Sequence, residues 1–335
     1  MTVSYFLRKP GPGFYSIERV FEDVRHDLPQ SLGARVHVSR FESRGFFRRL
    51  YNMLEAALRS GQLNHVTGDV HYLTILLPKR RTVLTIHDCG TLNRLTGWRR
   101  RVLLYFWYRL PVRRAGIVTV ISDFTKKELL KWVECSPAKI AVVPNPVSKA
   151  FAPSPKKFNA DCPVVLQVGI TPNKNIARAA QALRGISCRL RIVGLLREED
   201  RQALEKAGVA YSCTDGLGLS GMAREYAECD LLLFASTYEG FGLPIVEAQS
   251  VGRPVVTSNV GPMPEVAGGA ACLVDPFSVE SIRDGVLRVI GDADYRDKLV
   301  RDGFENAKRF HPQAIAAKYA QIYESLAKFS GASCA

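Results

Sequence analysis

Residues 230–251 constrain this chain more than any other stretch. Asp230-Leu-Leu-Leu-Phe234 reads as a short, wholly apolar strand. It runs through Ser236-Thr-Tyr-Glu-Gly-Phe-Gly-Leu-Pro-Ile-Val-Glu247 into a helix predicted from about Pro244 to Val251. An apolar strand that leads directly into a helix is the building unit of a parallel sheet covered on both faces. Gly240 and Gly242 let the backbone pass close to a ligand with no Cβ in the way. Pro244 suits the first helical turn, where its missing N–H is no loss. The N–H groups and dipole of that helix then face the turn and make an anion site. Two carboxylates frame it, Glu239 on the loop and Glu247 one turn inside the helix. Carboxylates accept paired hydrogen bonds, so two of them beside a phosphate site suit a polyol joined to a phosphate. A sugar nucleotide has that chemistry.

The rest of the chain repeats the alternation. Val3–Leu7, Arg35–Ser39, Leu63–Val66, Thr82–Ile86, Ile117–Ile121 and Ile140–Val143 read as strands. Between them lie helical patterns, including one capped by Ser16 and one over 46–58 with Leu50, Met53, Leu54, Ala57 and Leu58 predicted inward. Arg8 to Gly13 reads as a loop, and Ser122 as the cap of a helix running to Trp132. A linker rich in proline and lysine follows, from Ser148 to Asp161. A second series then begins at Val164–Val168 and ends in a helix over 313–329, with Ile315, Tyr319, Ile322, Tyr323 and Leu326 on one face. The expectation is an α/β protein of two doubly wound domains, 1–148 and 149–312, with the helix 313–330 crossing back to the first. Ligands of such sheets sit at the carboxyl ends of the strands.

Charge separates the two halves. Of 46 Lys+Arg and 32 Asp+Glu, residues 1–150 hold 25 and 11, which leaves 21 of each for 151–335. The whole excess of +14 belongs to the first half. A one-sided basic surface implies an anionic partner: nucleic acid, anionic lipid or a phosphorylated substrate. No nucleic-acid-binding motif accompanies the charge, so nucleic acid is not an expected partner. The eight cysteines are scattered with no C-x-x-C, which is neither a disulfide framework nor a zinc pattern. With no signal-peptide pattern at Met1 and no apolar run long enough to span a bilayer, a cytoplasmic location is expected.

Glu239-Gly-Phe-Gly-Leu-Pro-x-x-Glu247, followed by Gly252-Arg-Pro-Val-Val256 and Pro264-Glu-Val-Ala-Gly268, resembles the donor site of family 4 glycosyltransferases. These are retaining enzymes of the GT-B fold, and the likeness is to bacterial, mannosyltransferase-like members. It covers most of the chain and is strongest over 117–290. The resemblance implies a donor that is a GDP- or UDP-linked sugar, with no separate cofactor. It implies that Glu247 holds the ribose diol and Glu239 the sugar hydroxyls. Gly240, Phe241, Gly242 and Leu243 present the backbone that, with Lys174, holds the diphosphate. His87, in Thr85-Ile-His-Asp88, would sit by the transferred sugar, and Asp69 would help place the acceptor. The family often adds an arginine beside the lysine or after Gly169, where this chain has Asn173 and Ile170. Half of the usual cationic clamp is therefore missing.

Other constellations read as structure. Asp292-Ala-Asp294 precedes a helix, far from the donor loop, and suits capping rather than metal binding. His65, Asp69, His71, His87 and Asp88 fit no standard zinc spacing, so no metal is expected. Gly216-Leu-Gly-Leu-Ser-Gly221 reads as a loop before a helix over 222–229. Trp98 to Arg109 is basic and aromatic. It suits either a buried helix with an exposed basic start or a helix lying on an anionic membrane. A polyprenyl-diphosphate-linked glycan as acceptor, met at the inner face of the plasma membrane, would account for both the charge and the aromatics. A sugar-nucleotide epimerase or hydrolase on the same fold is the first alternative, and neither needs a basic first domain; a nucleic-acid-binding protein, suggested by the charge alone, is the lesser one.

Overall fold

The computed structural model describes residues 1–10 and 16–329. Gly11 to Gly13 of the predicted loop, the Ser16 side chain and Cys334 lie outside the described residues. The chain divides into two units, Met1–Pro146 with the segment from Pro312, and Val147–His311.

The first unit holds a parallel sheet of six strands: β1 (Thr2–Leu7), β2 (Gly33–Val38), β3 (Leu63–Val66), β4 (Thr82–Ile86), β5 (Ile117–Val120) and β6 (Ile140–Val142). Their order is β2-β1-β3-β4-β5-β6. Inner strands β3 and β4 are buried at every position, as strands covered on both faces are, and their polar residues Asn64, His65, Thr82 and Thr85 are hydrogen-bonded there. Edge strand β2 is largely exposed. The helix Pro312–Phe329 belongs to this unit and inserts Tyr319 and Tyr323 into it. Tyr323 Oη meets Tyr5 Oη at 2.8 Å and His65 Nδ1 at 2.7 Å. His65 Nε2 continues to Thr85 Oγ1, and Thr85 to Thr119 Oγ1 at 2.6 Å. His65 is thus a satisfied residue of the sheet interior. Burial first, then the charges of His87 and Arg25, press its pKa down to about 3.

The second unit repeats the plan with β7 (Val164–Val168), β8 (Arg189–Val193), β9 (Tyr211–Thr214), β10 (Leu231–Phe234), β11 (Val255–Ser258) and β12 (Cys272–Val274). Their order is β12-β11-β10-β7-β8-β9, all parallel. Chain order reverses between β7 and β10, so the loops leaving these two neighbours diverge at the carboxyl edge. The segment before β7 is tied down beneath the sheet: Asp230 accepts from Lys156 Nζ, from Asn159 N at 3.1 Å and from Val164 N at 2.8 Å.

Two expectations need correction, and one open reading gains detail. In the helix Phe46–Leu58 the buried residues are Asn52 and Ala56, whereas Leu50, Leu54 and Leu58 face outward, Leu58 at 88% exposure. Asn52 takes the inward place because its side chain is satisfied there, by Phe41 N and O and by Tyr72 Oη. The helix predicted over 222–229 begins at Leu219, so the last residues of the six-residue glycine pattern are helical. The basic aromatic stretch is one helical run over 97–114 whose middle, Leu104–Arg109, is a π-segment. Its outer face stays exposed (Trp98, Val102, Tyr105, Phe106) while Tyr108 is buried. Among the described residues no helix is long and apolar enough to cross a membrane.

Candidate active site

At the carboxyl edge of the second sheet the loop after β7 and the loop after β10 are laced together. Gly169 has φ +86, and a Cβ there would lie 2.8 Å from Lys174 Cε, so only glycine lets the lysine stem fold back over the turn. Lys174 Nζ lies 4.4 Å from the centre of the Phe234 ring and 2.7 Å from Glu239 Oε1. Both side chains of the pair are only 15% exposed, which strengthens the attraction over that of a solvated pair. Asn173 fastens the Glu239 loop. Its Nδ2 donates to Tyr238 O at 2.8 Å and to Glu239 Oε1 at 3.3 Å, and its carbonyl accepts from Thr237 N at 2.8 Å. The residue that stands in for a family arginine therefore has a positioning role. Asn175, at φ 62, donates to Ala235 O and Pro276 O and pins the start of the next helix. Asparagine tolerates this left-handed conformation better than most residues.

Gly242, at φ +104, turns the loop into the helix Leu243–Val251, with Pro244 in its first turn. The first N–H groups of a helix have no intrahelical acceptor, so those of this helix face the loop. Phe241 is buried, and its ring lies edge-on to Phe310. Glu247, half-buried, accepts from Tyr226 Oη at 2.7 Å. Burial and the neighbouring Glu247 carboxylate raise the Tyr226 pKa well above its ordinary value, so the phenol remains a donor and orients the carboxylate.

In the first unit, His87 and Asp88 follow β4, and Thr67 to Asp69 follow its neighbour β3, at the same carboxyl edge. His87 is buried, and among the described residues its Nε2 has no partner. Burial first holds its pKa down to about 4, against the pull of Asp69, so the ring is neutral near pH 7. Arg8 Nη1 donates to Asp69 Oδ2 at 3.2 Å, and Arg8 Nε to Glu18 Oε1 at 2.7 Å. The π-segment clamps both loops. Trp107 Nε1 donates to Asp69 O at 3.1 Å and Tyr108 Oη to Asp88 O at 3.2 Å. Pro111 has no N–H for the Trp107 carbonyl four residues earlier, and that carbonyl accepts from His71 Nδ1 at 2.9 Å. A carbonyl can only accept, so the His71 hydrogen sits on Nδ1.

The structure thus brings Lys174, Glu239, Gly240, Phe241, Gly242, Leu243 and Glu247 together in the second unit, and Asp69 and His87 together in the first. Among the described residues no group of three or more His, Cys, Asp or Glu is arranged to hold a metal, and Asp292 caps the helix Ala293–Ala307 through Tyr295 N at 2.9 Å. Sequence reasoning missed Arg8, Tyr226 and the positioning role of Asn173, whose partners are 10 to 66 residues away and carry no local signal.

Residues 17–151 match the family described as Glycosyltransferase Family 4, and residues 148–306 the one described as Glycosyl transferases group 1. O-antigen chain mannosyltransferase B of Escherichia coli is 30% identical over an alignment of 284 residues that covers 76% of this chain and 74% of that one. Among solved structures, Anabaena Alr3699/HepE in complex with UDP and glucose superposes with a TM-score of 0.78 at 18% identity, covering 97% of this chain and all of that one. WaaG, a glycosyltransferase involved in lipopolysaccharide biosynthesis, does so at 0.72 and 17% identity, covering 96% and 99%. Both likenesses carry the fold, GT-B.

Proposed function

The chain belongs to the family 4 glycosyltransferases, and from that premise we propose that it is a retaining, metal-independent hexosyltransferase. Its donor is a GDP- or UDP-linked sugar, and its acceptor a hydroxyl of a lipid-linked glycan in bacterial surface-polysaccharide assembly. The mannosyltransferase name of the Escherichia coli relative makes mannose the first sugar to test.

The observation that carries this reading is the laced pair of loops at the β7/β10 reversal, with Lys174 on Glu239 and Glu247 held by Tyr226. A diphosphate takes the helix N-terminus and Lys174. Glu239, released from part of its pairing, accepts from sugar hydroxyls, and Glu247 accepts from the ribose diol. The departing phosphate is stabilised by fixed N–H donors and the ammonium, which cost no reorganisation during reaction. The acceptor oxygen bonds to the anomeric carbon on the face from which the phosphate oxygen departs. The hydroxyl proton passes to that phosphate, and configuration is kept. In the first unit His87, a buried neutral imidazole, is the candidate for a role in the transfer. Arg8 and Trp107 hold Asp69, which helps place the acceptor.

The test is incubation with a panel of nucleotide sugars, following nucleotide release and the anomeric configuration of the product by NMR. One donor is expected to turn over, with its configuration preserved. Inversion would overturn the retaining mechanism, and no turnover with any donor plus lipid-linked acceptor would overturn the proposal.

A further inference from the structure

At the opposite edge of the first sheet lies a pocket of about 440 Å³ that the transfer chemistry does not use. Lys79 precedes β4, Arg113 β5 and Lys139 β6, so these three stand towards the amino ends of the strands, and Arg109 joins them in the lining from one turn before Arg113 on the same helical run. His87 stands at the carboxyl end of β4, a strand length of roughly 16 Å away. Two of these cations are anchored, and both bonds go to carbonyls. Arg109 Nε donates to Trp132 O at 3.2 Å and Lys139 Nζ to Arg113 O at 3.4 Å. Carbonyls fix the stems and leave the charge uncompensated. Among the described residues none of the four is ion-paired, and Glu134 is the one carboxylate in the lining. Crowding is visible in Lys139, whose pKa is lowered by burial first and by Lys79 next. The larger basic pocket of the second unit differs, because its Lys156 is paired with Asp230 and its Arg253 donates to five carbonyls.

We propose that this pocket binds a phosphate group, held by Lys79, Arg109, Arg113 and Lys139. Tyr105, 51% exposed, stands at its lining on the same helical run whose outer face carries Trp98, Val102 and Phe106. A phosphate there can belong to a free anion or to a lipid headgroup. The lipid source rests on a membrane contact of the run 97–114, and the free anion does not.

The probe is inorganic pyrophosphate, titrated calorimetrically at low salt into a Lys174→Gln protein, in which the donor site is weakened. Binding is expected there, and Lys79→Gln with Arg113→Gln, both exposed and outside the fold's hydrogen bonds, should weaken it by about tenfold or more. Flotation with phosphatidylcholine vesicles with and without phosphatidylglycerol separates the sources. Loss of phosphatidylglycerol-dependent binding in the double variant assigns the pocket to a headgroup, whereas unchanged flotation with weakened pyrophosphate binding assigns it to a free anion. Pyrophosphate affinity that the double variant leaves unchanged, or no binding at all, overturns the proposal. A protein that binds pyrophosphate in this pocket but no vesicle of either kind keeps the pocket and removes the membrane contact.

Discussion

His65 and His87 differ by position along a strand, and this decides what each can do. His65 lies within β3 and is satisfied on both ring nitrogens, whereas His87 lies just beyond β4 and keeps Nε2 unpartnered among the described residues. Both are buried, and burial holds their folded pKa values to about 3 and about 4, below the ordinary 6.5. Between 6.5 and those values the unfolded chain binds protons that the native chain does not. Stability is therefore fully present above about pH 6.5 and falls with falling pH, by roughly 1.4 kcal/mol per pH unit for each ring. Urea midpoints measured from pH 7.5 to 5 should drop on the acid side, and His65→Gln should flatten that slope; a flat wild-type profile would contradict the neutral rings. For the donor site, Glu239→Ala should lower kcat/KM about a hundredfold or more, the equivalent of roughly 2–4 kcal/mol of hydrogen bonding to the reacting sugar. Its Tm should fall by no more than a few degrees, because the loop is not core. Wild-type turnover in that variant would remove Glu239 from the site. Glu239 and Glu247 were legible as carboxylates at short offsets from the glycines and proline of a strand-to-helix turn, and Lys174 as the cation that follows the strand and glycine turn ending at Gly169. Tyr226 and Arg8 were not, because a long-range hydrogen bond imposes no spacing on the sequence.

Elements with mainly apolar, β-branched runs, such as β4, β7 and β10, were legible to within a residue, because a strand buried on both faces favours such residues strongly. The helix 46–58 was misjudged for the converse reason: periodicity marks an apolar stripe but does not say whether protein covers it. Phe46, Phe47, Leu50 and Leu54 remain exposed, and the inward positions hold Asn52 and Ala56. The π-segment was equally invisible, since only Pro111 hints at it, and proline alone is compatible with a simple kink. Caps were legible. Ser122 Oγ accepts from Thr125 N at 3.0 Å, and Asp292 from Tyr295 N at 2.9 Å. Asp292→Ala should cost about 1 kcal/mol through loss of that cap. Activity in this variant, and in the wild type under excess chelator, should match the untreated enzyme within a factor of about two, well under 1 kcal/mol of barrier. Loss of turnover in EDTA restored by Mg²⁺ or Mn²⁺ would instead place a metal in the reaction and overturn the metal-independent mechanism.

At the scale of the molecule the charge asymmetry meets a particular surface of the first unit. Trp98, Val102, Tyr105 and Phe106 on the run 97–114 are exposed, as are Phe46 and Phe47 on the helix 46–58. The two helices are neighbours, joined where Arg49 lies 4.6 Å over the Trp107 ring. Arginines border the aromatics: Arg48, Arg99, Arg101 and Arg113 are exposed. Arg114 is taken by the fold, donating to Ile75 O and Leu77 O, and Arg100 lies over the Trp132 ring. Each exposed arginine near an anionic membrane contributes on the order of 1 kcal/mol within a Debye length of about 8 Å. Four together amount to roughly a thousandfold in affinity, enough for reversible seating. The aromatics add apolar anchoring that salt does not screen. Binding to sedimenting liposomes should therefore grow with anionic lipid, fall with salt, and weaken when Arg99, Arg100 and Arg101 become Ser. Trp98→Ser with Phe106→Ser should remove the part that survives high salt. Indifference to lipid charge, salt and both sets of substitutions would leave a soluble acceptor as the better account of the basic first unit.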